Sequence, residues 1–269
     1  MSEPSTATEP VVVREQHGHV LVLRLNRPEA RNALNSEMIA ALGVAIRDAE
    51  EGDDIRAIVI TGTGDRAFCS GMDLRAFSEG DTPAPDPDAE ATSGNFMRLM
   101  RGGVTVPVIA AVQASAVAGG FEIVMGCDLV VASEDARFGL PEVKRALFPG
   151  GDGILLATRI PLPIAMEITL TGDYIDAERA YDLGLVNRVV PAERVLDEAL
   201  ALAERIVANS PAAVAGVREL VHGAAAGDLD AAWALNRRIM REVAASPDGV
   251  EGARAFVEKR APVWTDPTP

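Results

Sequence analysis

The chain has 269 residues, of which 48% are hydrophobic and 24% charged, a composition typical of globular rather than disordered proteins. Its length permits one large domain, or one domain with a smaller appendage. The formal net charge of -15 disfavours nucleic acid and anionic membrane surfaces as partners. The two cysteines and three histidines form no CxxC pair and no cluster, so we expect neither a metal site nor a disulfide.

Two segments bear on whether the protein is secreted, membrane-bound or cytoplasmic. Residues 1–10 are rich in Ser, Thr, Pro and Glu and lack a basic or apolar leader, so we expect a disordered tail and a cytoplasmic protein. Residues 102–121 carry no charge and approach the roughly 20 residues that a membrane-spanning helix needs. Pro107 and the pair Gly119-Gly120 interrupt this run, which predicts a buried strand, a loop and a helix start instead.

The N-terminal part predicts alternating strands and helices. Residues 11–14 and 20–25 predict an opening hairpin. Asn35 is a good N-cap for an amphipathic helix that Gly52 ends. The apolar positions of this helix are Met38, Leu42, Ile46 and Ala49. A strand at residues 55–60 follows, as in layered α/β proteins.

Further along, residues 106–112 and 129–132 predict buried strands on either side of a helix from about Gly120 to Gly126. Residues 185–190 are also strand-like. Residues 78–94, with Gly, Pro and five acidic side chains, predict a surface loop that is either a spacer or a lid over a pocket.

Helical sequence dominates from Pro191 to Arg260, with breaks at residues 209–211, at Gly227 and at residues 246–247. This pattern divides the chain into a tail (residues 1–10), a core (residues 11–200) and a helical C-terminal region (residues 201–269).

Three segments carry residue types suited to catalysis. Residues 118–122 read Ala-Gly-Gly-Phe-Glu, so two glycines and a carboxylate stand at a helix start. The Gly119 N–H could donate to a negatively charged oxygen there, and the alternative is a tight turn with Glu122 as a cap.

The second segment, residues 67–74, is another small-residue turn that leads into a helix. It could present a second N–H, and two converging N–H donors make an oxyanion hole worth about 3 kcal/mol per donor. The alternative is a simple helix cap in which Asp73 favours the helix dipole.

In the third segment, Glu142 stands among the prolines, glycines and aromatic residues of residues 138–151. Apolar surroundings raise the pKa of a carboxyl group, as a general acid at neutral pH requires. The alternative is again a helix cap, and only the pairing with Glu122 makes the catalytic interpretation attractive.

Together these segments resemble the crotonase, or enoyl-CoA hydratase/isomerase, superfamily over nearly the whole chain. The matching segments, in the family's order, are residues 26–28, 32–35, 67–74, 107–128, 138–151, 170–172, 251–252 and 256–260. The resemblance implies an α/β spiral of ββα units with a helical C-terminal region that forms homotrimers, often paired as hexamers.

The resemblance also implies roles for individual residues. The backbone N–H groups of Met72 and Gly119 match the family's oxyanion hole. Glu122 and Glu142 match its two glutamates, which hold one water between them. Glu122 then helps to activate the water and Glu142 protonates the α-carbon, or the two share or exchange these roles.

Coenzyme A binding is implied by further matches. The backbone at Ala67 and Phe68 resembles the family's adenine pocket, and Asp73 and Leu74 extend the same segment. The basic residues that could meet phosphates are Arg27, Arg31 and Lys259, with Lys259 reaching across a subunit boundary. For each basic residue the alternative is a solvated surface charge.

Retention of both glutamates predicts an enoyl-CoA hydratase that needs no cofactor beyond the coenzyme A of its substrate. The alternatives are an isomerase, a specialised acyl-CoA dehydratase or a non-catalytic binding protein of the same fold. Asp152 and Met72 depart from the residues common in family hydratases, so the acyl specificity is open.

Overall fold

The computed structural model of the chain describes residues 9–52, 54–80, 93–151, 153–225, 227 and 229–265. Most of the predicted tail and most of the predicted acidic loop lie outside these residues, as does Asp152. The predicted loop at residues 78–94 was too long at its end, because residues 93 and 94 already belong to a helix.

The described strands form two sheets. They are β1 (Val12–His17), β2 (Val20–Leu25), β3 (Ala57–Gly62), β4 (Val108–Val112), β5 (Ala116–Val117), β6 (Leu129–Ser133), β7 (Arg137–Gly139), β8 (Ile175–Asp176) and β9 (Arg188–Val190). The larger sheet has the order β1-β2-β3-β4-β6-β9 and the smaller one β5-β7-β8. In the larger sheet β1 is antiparallel to β2, and each later pair is parallel.

Helices surround these sheets and fill the C-terminal region. The α-helices are α1 (Ser36–Glu51), α2 (Leu74–Ser78), α3 (Ser93–Met100), α4 (Gly119–Gly126), α5 (Leu156–Arg159), α6 (Leu162–Thr171), α7 (Ala177–Asp182), α8 (Val195–Val207), α9 (Pro211–Ala225), α10 (Leu229–Ala245) and α11 (Pro247–Glu258). Short 3-10 helices cover Pro28–Ala30, Pro141–Arg145, Gly153–Leu155 and Ala192–Arg194.

Both faces of the larger sheet are buried. In β2, Leu21 and Leu23 pack into the core that includes α1, α3 and α4. Val20 and Val22, which alternate with them, pack on the opposite face against the apolar side of α8. This two-sided burial explains the nearly continuous apolar strands of the sequence.

Local signals position α1 as predicted. The Asn35 side chain accepts a hydrogen bond from Met38 N at 3.0 Å, and Gly52 ends the helix. The predicted apolar positions are all buried. The helix therefore begins, ends and faces the core where its sequence indicates.

Four predicted strands needed correction. The first strand of the hairpin, predicted at residues 11–14, runs from Val12 to His17. The strand predicted at residues 55–60 runs from Ala57 to Gly62, and the one predicted at 106–112 begins at Val108. The strand predicted at 185–190 covers only Arg188–Val190, because Leu185 N donates to Ala180 O and so closes the turn after α7.

The C-terminal breaks fall where the sequence predicts them, between α8 and α9, α9 and α10, and α10 and α11. The proposed boundary between residues 200 and 201 lies inside α8, whose buried face packs on the sheet. Residues 102–121, the uncharged run, hold β4, β5 and the start of α4. Among the described helices, none combines the length and the apolar character that crossing a bilayer requires.

Candidate active site

The segments that carry Met72 and Gly119 approach each other where Gly71 packs against the start of α4. Leu34 N donates to Gly71 O at 2.8 Å and Asp73 N donates to Leu34 O at 2.9 Å. In this parallel bridge the N–H of Met72 points away from Leu34. Within the described part of the chain, neither Met72 N nor Gly119 N donates a hydrogen bond. Both groups therefore remain candidates for the predicted oxyanion hole.

Close packing around Gly71 keeps these donors together. Gly71 has φ of +87°, and a Cβ atom built on it would lie 2.6 Å from Ala118 Cβ and 3.1 Å from Gly119 N. Ala118 itself has φ of 51° and ψ of -131°, a sparsely populated conformation for a residue with a side chain. The chain thus tolerates local backbone strain at the residue that precedes the Gly119 donor.

Glu122 lies in the first turn of α4 and is only 4% exposed. Its Oε1 accepts hydrogen bonds from Gly151 N at 3.0 Å and Gly153 N at 2.9 Å. Two N–H donors on one oxygen fix the position of the Glu122 side chain. Side chains at Gly151 or Gly153 would collide with their neighbours, so the close approach of this backbone needs both glycines.

Glu142 lies in the 3-10 helix Pro141–Arg145 and differs from Glu122 in its surroundings. Burial raises its pKa above the ordinary value of 4.5. Its Oε2 is buried and has no hydrogen-bond partner among the described residues. The shift runs in the direction that a proton donor near neutral pH requires.

The smaller sheet brings the two glutamates to the same edge. Its strands β5 and β7 are parallel neighbours, paired through Ala116 with Phe138 and Val117 with Gly139. The helical turns that carry Glu122 and Glu142 directly follow these strands, and Ala118 N donates to Gly139 O at 2.9 Å. A carboxylate held by two main-chain N–H groups and a carboxyl group with a raised pKa therefore share one end of this sheet.

Arg27 and Asp73, both predicted to contact coenzyme A, form an ion pair with each other. Arg27 Nη2 lies 3.0 Å from Asp73 Oδ2, and Arg27 Nη1 donates to Ala33 O at 2.6 Å. The N–H of Ala76 and the Arg27 guanidinium lower the pKa of Asp73. The pair fixes the start of α2, and a phosphate would have to share the guanidinium with these two acceptors.

The other residues predicted to bind coenzyme A differ in their exposure to solvent. Ala67 and Phe68 are buried, so only their main chain can face a ligand, whereas Leu74 is partly exposed. The carbonyl of Ala67 accepts hydrogen bonds from Asn32 Nδ2 at 2.9 Å and Gln113 Nε2 at 3.1 Å.

Arg31 and Lys259 lie outside that segment. Arg31 is exposed beside Ala67–Leu74, and its carbonyl accepts from Ser70 N. Lys259 caps α11 in the C-terminal region. Among the described residues it makes no side-chain ion pair or hydrogen bond with the predicted site, so one chain does not bring it together with Arg27.

Known proteins identify the family. The sequence model of the enoyl-CoA hydratase/isomerase family matches residues 15–267. The chain belongs to this family. The relative enoyl-CoA hydratase EchA19 of Mycobacterium tuberculosis is 39% identical over 255 residues, which are 94% of this chain and 96% of the relative. The carnitinyl-CoA dehydratase of Proteus mirabilis is 35% identical over 253 residues, or 92% and 95% of the two chains.

Solved structures of this family share the fold. The crystal structure of an enoyl-CoA hydratase from M. tuberculosis H37Rv superposes with a TM-score of 0.88 at 41% identity, covering 96% of this chain and 100% of that one. For enoyl-CoA hydratase EchA1 from Mycobacterium marinum the TM-score is 0.87 at 40% identity, with the same coverage. The predicted family and the predicted crotonase-type α/β fold are confirmed.

Sequence reasoning missed several parts of this family member's site. Gly151 was noted only as part of the segment around Glu142 and Gly153 was given no role, although their N–H groups hold Glu122. Met100, at the end of α3, was not noted at all. For Gly151 and Gly153, the glycine-rich turn was the only available signal in the sequence. No His, Cys, Asp and Glu cluster of three or more, as a metal site needs, occurs among the residues described.

Proposed function

We propose that the protein is an enoyl-CoA hydratase, which adds water reversibly to a 2-trans-enoyl-CoA and forms a 3-hydroxyacyl-CoA. The observation that carries this proposal is the contrast between the two glutamates at one end of the smaller sheet. Glu122 accepts two N–H bonds, and Glu142 has a buried oxygen without a hydrogen-bond partner among the residues that the structure describes. The relatives named hydratases support the same reaction class.

The proposed mechanism begins at the thioester carbonyl. Its oxygen accepts hydrogen bonds from Met72 N and Gly119 N, which draws electron density away from the β-carbon. Negative charge grows on this oxygen as the enolate forms, and each donor lowers the barrier by about 3 kcal/mol. Because both donors belong to the main chain, the side chain of Met72 takes no part.

The two carboxyl groups then act on the water and on the enolate. Ionised Glu122 accepts a proton from water while the water oxygen forms a bond to the β-carbon. The π electrons move to the α-carbon, and protonated Glu142 donates its proton there. One water is added, and no oxidant, reductant or metal is required, so we propose no cofactor.

A second candidate is the dehydration of a specialised 3-hydroxyacyl-CoA. The similarity to carnitinyl-CoA dehydratase, at 35% identity, favours it. The same two carboxyl groups would run the reaction in reverse, with Glu142 removing the α-proton and Glu122 protonating the departing hydroxide. The two candidates differ in substrate and direction rather than in catalytic groups.

The substrate's coenzyme A moiety is proposed to lie along the segment from Ala67 to Leu74. The hydrogen bond from Asn32 to the carbonyl of Ala67 and the Arg27–Asp73 ion pair hold this segment in a fixed shape. Exposed Arg31 is a candidate for phosphate contact. Lys259 is proposed to reach the site of a neighbouring subunit in a homotrimer or in a hexamer of two trimers.

The direct test is loss of the enoyl-thioester ultraviolet absorbance when the protein meets crotonyl-CoA or longer 2-trans-enoyl-CoAs. Mass spectrometry of the product should show the gain of one water. Conversion to a positional isomer of unchanged mass would replace the proposal with an isomerase. Absence of any reaction with these substrates, together with dehydration of a hydroxyacyl-CoA such as carnitinyl-CoA, would favour the second candidate.

A further inference from the structure

Met100, the last residue of α3, lies against the carboxylate of Glu122. A Cβ atom built on Gly151 would lie 2.5 Å from Met100 Cε and 2.6 Å from Glu122 Oε2. The methionine methyl group and the carboxylate oxygen therefore flank one glycine. The Met100 side chain is almost fully buried, with 3% exposed. It forms an apolar wall beside the group proposed to activate water.

The Glu122 carboxylate adjoins both Gly119 and Gly151. A Cβ atom built on Gly119 would lie 3.8 Å from Glu122 Oε2, the same oxygen that adjoins Gly151. In the proposed mechanism the carbonyl oxygen of the enoyl thioester is bound at Gly119 N, and its β-carbon receives the water that Glu122 activates. The γ-carbon and the rest of the acyl chain would then continue past Glu122, toward Gly151 and Met100.

The helix that carries Met100 is held in place. A Cβ atom on Gly126 of α4 would collide with the carbonyl oxygen of Leu99, so α3 and α4 touch through their backbones. Arg98 donates to both carboxylate oxygens of Glu50, at 2.7 and 2.8 Å. Two-armed pairs of this kind fix orientation as well as position. Met100 can leave the path of the acyl chain only by changing its own rotamer.

We infer that Met100 is a specificity-determining residue that restricts the acyl group to short, unbranched chains such as crotonyl. This inference rests on the proposed function for the direction in which the acyl chain runs. Each methylene that enters an apolar pocket strengthens binding by about fourfold. Because the Met100 thioether occupies the space beside Gly151, additional methylenes of the acyl chain gain no such contact in the native protein.

The test measures affinity, so it does not depend on turnover. Dissociation constants of butyryl-, hexanoyl- and octanoyl-CoA, saturated thioesters that cannot be hydrated, are determined by calorimetry for the native protein and three variants. Met100→Ala opens the space, and Met100→Leu nearly preserves its volume. Leu42→Ala truncates a fully buried side chain of α1 and controls for a general loosening of the core.

In the native protein we expect octanoyl-CoA to bind no more tightly than butyryl-CoA. Met100→Ala should improve hexanoyl-CoA affinity relative to butyryl-CoA by about tenfold, whereas Met100→Leu and Leu42→Ala should leave this ratio within about threefold of the native value. If Met100→Ala does not fold, Met100→Phe should weaken hexanoyl-CoA binding more than butyryl-CoA binding.

Tighter binding of octanoyl-CoA by the native protein, or an unchanged ratio in folded Met100→Ala, would overturn the inference. The outcome is separable from the proposed reaction. Absence of crotonyl-CoA hydration with the expected affinity shift would reject the hydratase and retain Met100 as the wall. Hydration of crotonyl-CoA without the affinity shift would retain the hydratase and reject the role inferred for Met100.

Discussion

Glu122 and Glu142 occupy different environments although both are glutamates at the same end of one small sheet. Glu122 accepts two N–H bonds, and its side chain is held on α4 by the turn at Gly151 and Gly153. Glu142 has one buried oxygen without a partner in the described chain and a raised pKa. We propose that environment rather than residue type assigns the roles of base and acid.

Replacement of the base tests this assignment. Glu122→Gln keeps an oxygen for the Gly151 and Gly153 N–H groups but cannot accept a proton from water. We expect kcat for crotonyl-CoA hydration to fall about 100-fold to 10,000-fold while butyryl-CoA affinity is retained. Glu167→Gln, on the exposed side of α6, is the matched control and should be unaffected. Near-native turnover in Glu122→Gln would exclude it as the base.

The pH dependence of kcat/KM should reveal Glu142. In the proposed mechanism, hydration and dehydration both use the pair with a single proton, which lies on Glu142 before hydration and on Glu122 after it. Burial raises the pKa of Glu142 above 4.5, so activity should persist above that pH and fall as the pH passes the raised value. The decline should be the same in both directions. An unchanged alkaline decline in the residual activity of Glu142→Gln would contradict the assignment.

The oxyanion donors can be tested through Gly71. In Gly71→Ala the new Cβ atom would press on Ala118 and on Gly119 N, so we expect the donors to separate and kcat to fall about 100-fold. Gly18→Ala is the control. Gly18 also has positive φ, at +56°, but a Cβ atom built on it would meet no described atom within 4 Å. Both changes should cost about 1 kcal/mol in unfolding free energy from backbone strain. Equal effects of the two variants on kcat would refute the steric argument.

Sequence reasoning located Glu122, Glu142, Met72 and Gly119 because each belongs to a short, recognisable segment. The N–H groups that hold Glu122 were not predictable in the same way. The bond from Gly151 to Glu122 joins residues 29 positions apart, and main-chain donors leave no residue type of their own to recognise. The role inferred for Met100 was hidden for a related reason, since a buried methionine in a helix looks like ordinary core.

At the scale of secondary-structure elements, α9 is tied to the sheet by an ionic cluster. Asp128, which precedes β6, accepts from Arg218 Nε at 2.9 Å and from His222 Nε2 at 2.7 Å, and Val108 N donates to it from β4 at 2.8 Å. Burial acts to raise the pKa of Asp128, but the bonds from His222 and Arg218 outweigh it and lower this pKa.. The cluster joins the C-terminal region to the core.

Removal of the central charge should destabilise the fold in a pH-dependent way. We expect Asp128→Asn to lower the unfolding free energy by about 3 kcal/mol at neutral pH, because Arg218 loses its buried partner. The folded-state pKa is depressed, so the stabilisation is present above about 3.8 and is lost as pH falls through the lower folded value. Denaturant unfolding across this range measures the difference.

The exposed residue Asp182 supplies the control for this charge removal. Asp182→Asn should change the unfolding free energy little at any pH. A difference between native protein and Asp128→Asn that stays constant down to strong acid would show that shape rather than charge matters at this position.

Elements with long periodic patterns, such as α1, were predicted with their caps, whereas β5, β7 and β8 were not. The latter three strands have only two or three residues, too few to show alternation. They form because Ala116 meets Phe138 across the smaller sheet, a long-range pairing. The same limit explains why β9 is shorter than predicted, since its length depends on where β6 offers partners.

At the scale of the whole molecule, large apolar side chains remain exposed on the C-terminal helices. Val217 and Val221 on α9, Trp233 and Met240 on α10, and Phe256 on α11 are each at least 60% exposed. Extensive apolar exposure of this kind marks surfaces that bind another protein. Sequence periodicity does not reveal it, because the same residues could equally have packed inside the subunit.

We expect these faces to be covered in a homotrimer. Light scattering during size-exclusion chromatography should give a mass three or six times that of the 28.3 kDa chain. Trp233→Glu should shift the mass toward the monomer, whereas Glu167→Gln should not. A native protein that stays monomeric at micromolar concentration would contradict the predicted assembly and the proposed role of Lys259 across a subunit boundary.

Main-chain and side-chain groups have separate roles at the proposed site, and this separation determines how easily its chemistry can be redesigned. The groups proposed to polarise the thioester are main-chain amides at Met72 and Gly119, so substitutions elsewhere should leave them in place as long as Gly71 and the turn at Ala118 survive. In the proposed mechanism, proton transfer depends on the side chains of Glu122 and Glu142. An engineer could therefore exchange Glu122 or Glu142 for other acids or bases and obtain a new enolate reaction on an unchanged scaffold, with Met100 as a separate adjustment of substrate size.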